Sequence, residues 1–232
     1  MRKCIVVEPE IEGNLGFLAR TMANFDFEQL ILVNPKTKIG KKAKNRAVHA
    51  QKVLENVLIK DSFEKALNCV DFSIGTTGLE SVDSSNFVRS TTDVREIAER
   101  ASEVSGDIGV VLGRESKGLT NEELSMCDMA VKVPTSDNYP VMNITHAACV
   151  VFYELFRAEK KGDREASSRK EKEYLKHIFK SIVNKMEYSE SDADREVQCL
   201  QNFIGRSFVD KSEINTLIGV FKKIEKSLEV KK

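Results

Sequence analysis

The amino-acid sequence predicts an α/β fold: a largely parallel, doubly wound sheet with helices on both faces, followed by a small all-helical extension. Up to about residue 158, short apolar runs rich in β-branched residues alternate with segments of helical period, which is typical of βα units. Large apolar side chains then disappear over 159–173, and the apolar residues beyond recur only with helical period. We therefore predict a sheet domain at 1–158, a linker at 159–173 and a helical extension at 174–232.

The individual elements follow from this alternation. Strands are predicted where apolar runs end in glycine, proline or polar loops, at 3–7, 29–33, 71–75, 108–112 and 129–133. A polar loop is expected at 81–90. Helices are predicted from apolar stripes at 14–25, 61–67, 92–104, 121–127 and 144–159, and in the extension around 174–186, 197–204 and 214–224. The helix at 144–159 is apolar on nearly every side, so we expect it to be buried in the core or against a second subunit.

The stretch 107–124 carries the strongest local signal for a binding loop. A buried strand ends at Gly113, a polar loop runs to Gly118, and Thr120 with Glu123 forms a capping-box signature that starts a helix. Loops that follow parallel strands form the usual ligand-binding edge of an α/β sheet, and glycine lets a ligand approach the backbone closely. The pattern fits a binding loop, and it also fits an ordinary connection between a strand and a helix.

Composition excludes several classes of protein. The chain has 232 residues, 31% charged and 41% hydrophobic, with no net charge, which is typical of a globular protein. The longest apolar run, 147–153, is too short to span a bilayer. Five scattered cysteines without a Cys-x-x-Cys pair argue against zinc and disulfide frameworks, so we expect no metal and a cytoplasmic location. The chain also lacks the Walker A loop, the Gly-x-Gly-x-x-Gly fingerprint, His-Glu-x-x-His and the Gly-x-Ser-x-Gly elbow.

One segment is strongly polarised. Residues 34–54 contain seven Lys or Arg and no Asp or Glu. A run of this kind is often just a solvated face, but in a chain of zero net charge it also predicts contact with phosphates. The candidate RNA-binding residues are Lys36, Lys38, Lys41, Lys42, Lys44 and Arg46.

Three ordered motifs carry a family resemblance. They are Asn14-x-Gly16-x-x-x-Arg20, Gly113-Arg114-Glu115-x-x-Gly118-Leu119 and Asn143-Ile144-Thr145-x-Ala147. In this order they resemble the motifs of the SPOUT RNA 2′-O-ribose methyltransferases, and the resemblance covers residues 1 to about 160. The approach to the third motif and the helical extension are most similar to the TrmJ-type tRNA 2′-O-methyltransferases.

The resemblance implies a fold detail, a cofactor and partners. It implies a trefoil knot in the carboxyl-terminal half of the sheet domain, an obligate homodimer, and methylation of the ribose at nucleotide 32 of tRNA. The composition leads us to expect no membrane or metal partner. S-adenosylmethionine would be held in the knot by loops that contribute Thr76, Thr77, Gly78, Leu112, Gly113, Arg114, Glu115, Gly118, Val133, Met142 and Asn143.

The resemblance also implies catalytic roles for Arg20, Asn14 and Asn143. Because a guanidinium stays protonated at any working pH, we expect Arg20 to grip the phosphate beside the target ribose and to stabilise the developing 2′-oxyanion. One subunit's Arg20 would serve the methyl donor of the other. Val141 stands where relatives with Ser-Leu-Asn in the third motif have a serine, so that hydroxyl is absent here, and Tyr139 and Thr145 are the candidates to replace it.

Two other functions fit the same sequence. The chain could methylate another tRNA position or ribosomal RNA, because specificity would lie in the basic segment and the helical extension. It could also be a knotted RNA-binding protein without catalysis, although Arg20, Glu115 and Asn143 are all intact.

Overall fold

The computed structural model describes residues 1–78, 91–158, 162–186 and 189–229. Its main sheet has seven strands: β1 (Arg2–Val7), β2 (Gln29–Val33), β3 (Leu58–Lys60), β4 (Phe72–Thr76), β5 (Thr91–Thr92), β7 (Ile108–Leu112) and β8 (Met129–Val131). Their order across the sheet is β3-β2-β1-β7-β4-β8-β5, and every pairing is parallel. A second, two-stranded sheet pairs β6 (Val104–Ser105) with β9 (Arg164–Glu165). All carboxyl ends of the main sheet therefore meet at one edge.

Helices cover both faces of the main sheet, as a doubly wound fold requires. They are α1 (Glu12–Asn24), α2 (Lys41–Ala47), α3 (Gln51–Glu55), α4 (Phe63–Leu67), α5 (Val94–Ala101), α6 (Asn121–Met126) and α7 (Ile144–Arg157). Alternate residues along the strands face opposite ways. Cys4 and Val6 pack with α1, α5 and α7, whereas Ile5 and Val7 pack with α4 and α6. The predicted fold class is confirmed, and the trefoil knot stays a prediction.

Three further helices make the carboxyl-terminal region: α8 (Arg169–Lys185), α9 (Glu190–Ser207) and α10 (Lys211–Glu229). They share an apolar cluster built on Leu175, Ile178 and Ile214. Phe208, however, belongs to the core of the sheet domain and packs against Phe72 with ring centroids 4.6 Å apart. The carboxyl-terminal region is thus docked into the sheet domain.

Several predicted boundaries need correction. The described part of the predicted linker, 162–173, holds strand β9 and the first turn of α8, and it buries Ser167 completely. The short helix predicted at 61 is capped by Ser62, while Asp61 forms an ion pair with Lys65. The helix predicted at 92–104 spans only residues 94–101, because Asp93 caps its start and strand β6 begins at Val104. The domain division itself stays a prediction, and the loop predicted at 81–90 lies outside the described residues.

No helix in the described ranges is long and apolar enough to cross a membrane.

Candidate functional site

A cavity of about 300 Å³ opens at the carboxyl edge of β4, β7 and β8. Its walls are the loops that follow these strands and the first turn of α7. The lining residues are Thr76, Thr77, Gly78, Leu112, Gly113, Arg114, Glu115, Ser116, Lys117, Gly118, Leu119, Val131, Val133, Pro140, Val141, Met142, Ile144 and Ala147. The structure therefore brings together every residue predicted to bind the cofactor except Asn143.

Asn143 instead begins helix α7. Its Oδ1 accepts hydrogen bonds from the Thr145 backbone N–H at 2.9 Å and from the Thr145 hydroxyl at 2.8 Å. Asn143 is therefore the N-cap of α7, and it fixes the direction in which the helix leaves the cavity. Lys117 and Pro140 also line the cavity, although they are not among the individual residues predicted to bind the cofactor.

The loop after β7 is closed on itself, and this closure requires glycine at both ends. Arg114 and Gly118 exchange backbone hydrogen bonds of 2.9 and 3.2 Å. Gly118 has φ of +67°, a conformation that side-chain-bearing residues rarely adopt. A Cβ at Gly113 would overlap the backbone of Gly118 and Leu119. The two glycines of the motif therefore shape the cavity wall.

Arg114 holds the loop after β7 to its neighbours. Its guanidinium donates to Glu8 at 2.9 Å and to both carboxylate oxygens of Glu123 at 2.9 Å. These two hydrogen-bonded carboxylates raise the pKa of Arg114 above its ordinary value. Burial alone would raise the pKa of Glu123, but hydrogen bonds from Arg114 and the Thr120 backbone hold it below its ordinary value. Arg114 thus lines the cavity, but its charge is already balanced by the carboxylates of Glu8 and Glu123.

Glu115 connects the same loop to helix α1. Its carboxylate accepts from the backbone N–H groups of Glu10 at 2.8 Å and Ile11 at 3.3 Å, just before the helix begins. The buried Asn14 side chain donates to the same carboxylate at 3.1 Å. A carboxylate at a helix N-terminus also interacts favourably with the helix dipole. Asn14 therefore fixes the cavity loop against the helix that carries Arg20.

Arg20 lies on the exposed face of α1 and does not line the cavity of its own chain. It forms no hydrogen bond or ion pair with any residue that the structure describes. The structure thus separates Arg20 from the predicted cofactor residues within one chain. Its predicted catalytic role stays a prediction that requires a second copy.

Aromatic side chains of α7 and of the end of α1 are partly exposed to solvent. Helix α7 buries Phe152 and Leu155 in the core, but Tyr153 and Phe156 on its opposite side are about half exposed. Both rings contact Phe25, with centroids 6.0 and 5.9 Å away. The helix that the sequence predicted to be apolar all round is therefore only half covered in a single chain.

The basic segment, 34–54, forms the loop before α2, α2 itself and the chain into α3. Lys38, Lys41, Lys42 and Lys44 are exposed, and Lys36 lies 3.5 Å from Glu8. Arg46 is half-buried, because its guanidinium lies 4.7 Å above the ring centroid of Phe17 on α1. The remaining positive charge faces solvent next to the helix that carries Arg20. Among the described residues, no group of three or more His, Cys, Asp and Glu side chains could hold a metal ion.

The parallel sheet and this cavity define an α/β protein with a small-molecule site between loops that follow the strands. The chain belongs to the SpoU rRNA Methylase family, whose model matches residues 2–153. This membership confirms the resemblance that the three motifs carry.

Full-length relatives extend the similarity through the carboxyl-terminal helices. The chain is 36% identical to the tRNA (cytidine-2′-O-)-methyltransferase TrmJ of Methanocaldococcus jannaschii, over 96% of this chain and 99% of that protein. It is 30% identical to the Sulfolobus acidocaldarius protein of the same name, over 96% and 92%. The crystal structure of TrmJ from Z. mobilis ZM4 matches with a TM-score of 0.75 over 97% and 99% of the two chains, and at 21% identity it supports the fold alone.

Proposed function

We propose that this protein is an S-adenosylmethionine-dependent tRNA 2′-O-ribose methyltransferase that acts on nucleotide 32 of the anticodon loop, with cytidine as the base. The observation that carries the proposal is that the loops of the second and third motifs meet in one cavity. Relatives named tRNA (cytidine-2′-O-)-methyltransferase match nearly the whole chain, including the carboxyl-terminal helices. Family membership supports the reaction class, and these relatives support the substrate.

The cavity fits the proposed cofactor in size and in chemistry. Its volume of about 300 Å³ lies at the lower end of the usual range for small-molecule sites. Thr76, Thr77 and Gly78 give the wall polar and backbone surface, and Leu112, Val133 and Met142 give it apolar surface that excludes water. When bound, the cofactor supplies an electrophilic methyl group on a sulfonium centre.

A second copy of the chain would complete the site. Phe25, Tyr153 and Phe156 form an exposed aromatic patch of the kind that marks protein interfaces. Arg20 lies on the helix beside this patch, with no partner among the described residues of its own chain. A homodimer that covers the patch would place Arg20 of one subunit at the cavity of the other.

In this arrangement the protein's residues position the reactants and stabilise charge. Arg20 grips the phosphate beside the target ribose and stabilises the developing 2′-oxyanion, while the proton leaves to phosphate or water. Asn14 and Asn143 hold the loop after β7 and the start of α7 in place. The exposed lysines of α2 contact phosphates of the tRNA.

The test is methyl transfer to an unmodified tRNA transcript, followed by mass-spectrometric mapping of the modified ribose. We expect one 2′-O-methylcytidine at nucleotide 32, and transcripts with uridine there measure the base preference. Methylation only at another tRNA position or only in ribosomal RNA would change the assigned substrate and leave the proposed reaction class unchanged. Tight RNA binding with no methyl transfer to any RNA would support a non-catalytic RNA-binding protein instead.

The role of Arg20 is tested in two steps. Arg20→Ala should bind S-adenosylmethionine normally, as judged by thermal shift, yet lose at least about a hundred-fold in methyl transfer, as expected when an oxyanion-stabilising group is removed. Mixed dimers of Arg20→Ala and a cavity variant, Gly113→Val, decide which subunit it serves. With random pairing, half of the twofold dimers are mixed, and each mixed dimer has one working site if Arg20 acts across the interface. About a quarter of the wild-type activity should then be restored. If no activity is restored, Arg20 acts on the cavity of its own subunit.

A further inference from the structure

The mouth of the cavity presents an aromatic ring to solvent. Tyr139 is 81% exposed, although its neighbour Pro140 lines the cavity wall. Its loop is held in place: the Tyr139 N–H donates to the Ser136 carbonyl at 3.0 Å, and the Thr135 hydroxyl donates to the Pro140 carbonyl at 2.9 Å. Hydrogen bonds therefore hold the backbone that carries the ring, directly next to a residue of the cavity wall, while the ring itself extends into solvent.

A lysine lies on another wall of the same mouth. Lys117 lines the cavity from the loop after β7, and its side chain is exposed. It forms no hydrogen bond or ion pair with any residue in the described ranges. Its neighbour Arg114 has its charge balanced by Glu8 and Glu123, so Lys117 supplies the positive charge that this loop leaves available to a ligand.

We propose that Tyr139 and Lys117 form a nucleotide clamp at the mouth of the cavity. An aromatic face and an ammonium group match the two chemically distinct parts of a nucleotide, because bases stack on aromatic rings and phosphates attract lysine. Tyr139 stacks on the base of the nucleotide whose ribose enters the cavity, and Lys117 contacts a phosphate beside it. The proposal rests on the proposed function, since it takes RNA as the substrate.

The clamp has a defined consequence for specificity. Stacking tolerates any base, because every base has a π-face, and a lysine–phosphate contact carries no base information. The clamp therefore orients the nucleotide without choosing its base. Substitutions in it should change the rate with cytidine and uridine by the same factor.

The experiment compares Tyr139→Ala, Tyr139→Phe and Lys117→Gln with the wild-type full-length protein, using an RNA that the wild type methylates. Tyr139→Ala should lower kcat/KM for RNA by about ten- to a hundred-fold, the usual effect of losing one stacked base, whereas Tyr139→Phe keeps the ring and should stay close to wild type. Lys117→Gln should weaken RNA binding and reduce the slope of log K against log salt by about one. Calorimetry should give unchanged S-adenosylmethionine affinity for all three.

Each alternative role for these residues gives a different result. An unchanged kcat/KM in Tyr139→Ala, or an unchanged salt slope in Lys117→Gln, overturns the clamp. Loss of cofactor affinity in Tyr139→Ala would make the ring a support for the cavity wall, and dissociation into monomers would make it an interface residue; both also overturn it. Failure of the proposed function is distinct, because the wild-type protein itself would then methylate no RNA.

Discussion

The substitution Lys172→Met tests how the carboxyl-terminal helices are joined to the sheet. Lys172 on α8 forms an ion pair with Asp128, and their side chains are only 7% and 9% exposed. The ammonium group also donates to the Asp71 carbonyl and lies 3.8 Å from the centroid of the Phe72 ring. The Asp128 carboxylate in turn accepts from the backbone and the hydroxyl of Ser73 at 2.8 and 2.7 Å.

The pKa shifts of the two groups show how strongly they depend on each other. Burial alone would raise the pKa of the Asp128 carboxyl, but Lys172 and the Ser73 hydrogen bonds hold it below its ordinary value. Burial lowers the pKa of Lys172, and the attraction of Asp128 opposes that effect. Each charge is therefore tolerated in the interior because the other is present.

Removing Lys172 leaves an uncompensated carboxylate in the interior. Breaking one side of a buried ion pair costs about 3–5 kcal/mol. For a domain of this size each kcal/mol lowers the melting temperature by about 2–4 °C, so Lys172→Met should lower it by about 6–20 °C. The measurement is thermal unfolding at a fixed protein concentration, because dimer formation would make the midpoint depend on concentration.

Two further variants make this prediction refutable. Lys170→Met removes an exposed lysine from the same helix and should change the midpoint little. Adding Asp128→Asn to Lys172→Met removes the stranded charge while retaining an acceptor for Ser73, and it should recover most of the lost stability. If Lys172→Met costs no more than Lys170→Met, the pair does not join the two regions and the reasoning is wrong.

Two more predictions concern the loop after β7. Glu115→Ala removes the carboxylate that accepts hydrogen bonds from the Glu10 and Ile11 backbone and from the buried Asn14 side chain. It should cost about 1–3 kcal/mol of unfolding free energy, because the Asn14 amide loses its acceptor. The exposed Glu99→Ala is the control in chemical denaturation, and equal effects of the two substitutions would contradict the role of Glu115 as an anchor. Arg114 holds the pKa of Glu8 below its ordinary value, chiefly through their hydrogen bond, and Glu123 is lowered as well. Their contribution to stability should be complete above the ordinary carboxyl pKa of about 4.3 and be lost as the pH falls through the lowered values. Glu8→Gln should therefore flatten the fall in stability between about pH 5 and 3, and an unchanged slope would refute the assignment.

The part of the fold that the sequence predicts well is the part whose signals are local. The strand at 108–112 and the helix start at Thr120 were predicted correctly, because a buried β-branched run and a capping box each lie within a few residues. Strands β3 and β9 were missed, since they are two or three residues long and their side chains are largely exposed. Such strands exist because a neighbouring strand is in place, which no short window of sequence reveals.

In the candidate site, too, the sequence predicts the features with local signals and not those that depend on distant residues. Glycine spacing and motif order predicted the cavity loops. Outside the site, the sequence does not predict the ion pair of Lys172 with Asp128, because a lysine in a charged stretch resembles a surface residue and its partner is distant in sequence. Asn14 and Glu115 also contact each other, although they are 101 positions apart in the sequence. Long-range partners of this kind are visible only in the folded chain.

The burial of Phe208 has a consequence for biosynthesis. This ring packs on Phe72 and belongs to a core that begins at Cys4. The ribosome must therefore release the chain through Phe208 before this contact can form, and the nascent sheet domain lacks that cover on Phe72 until then.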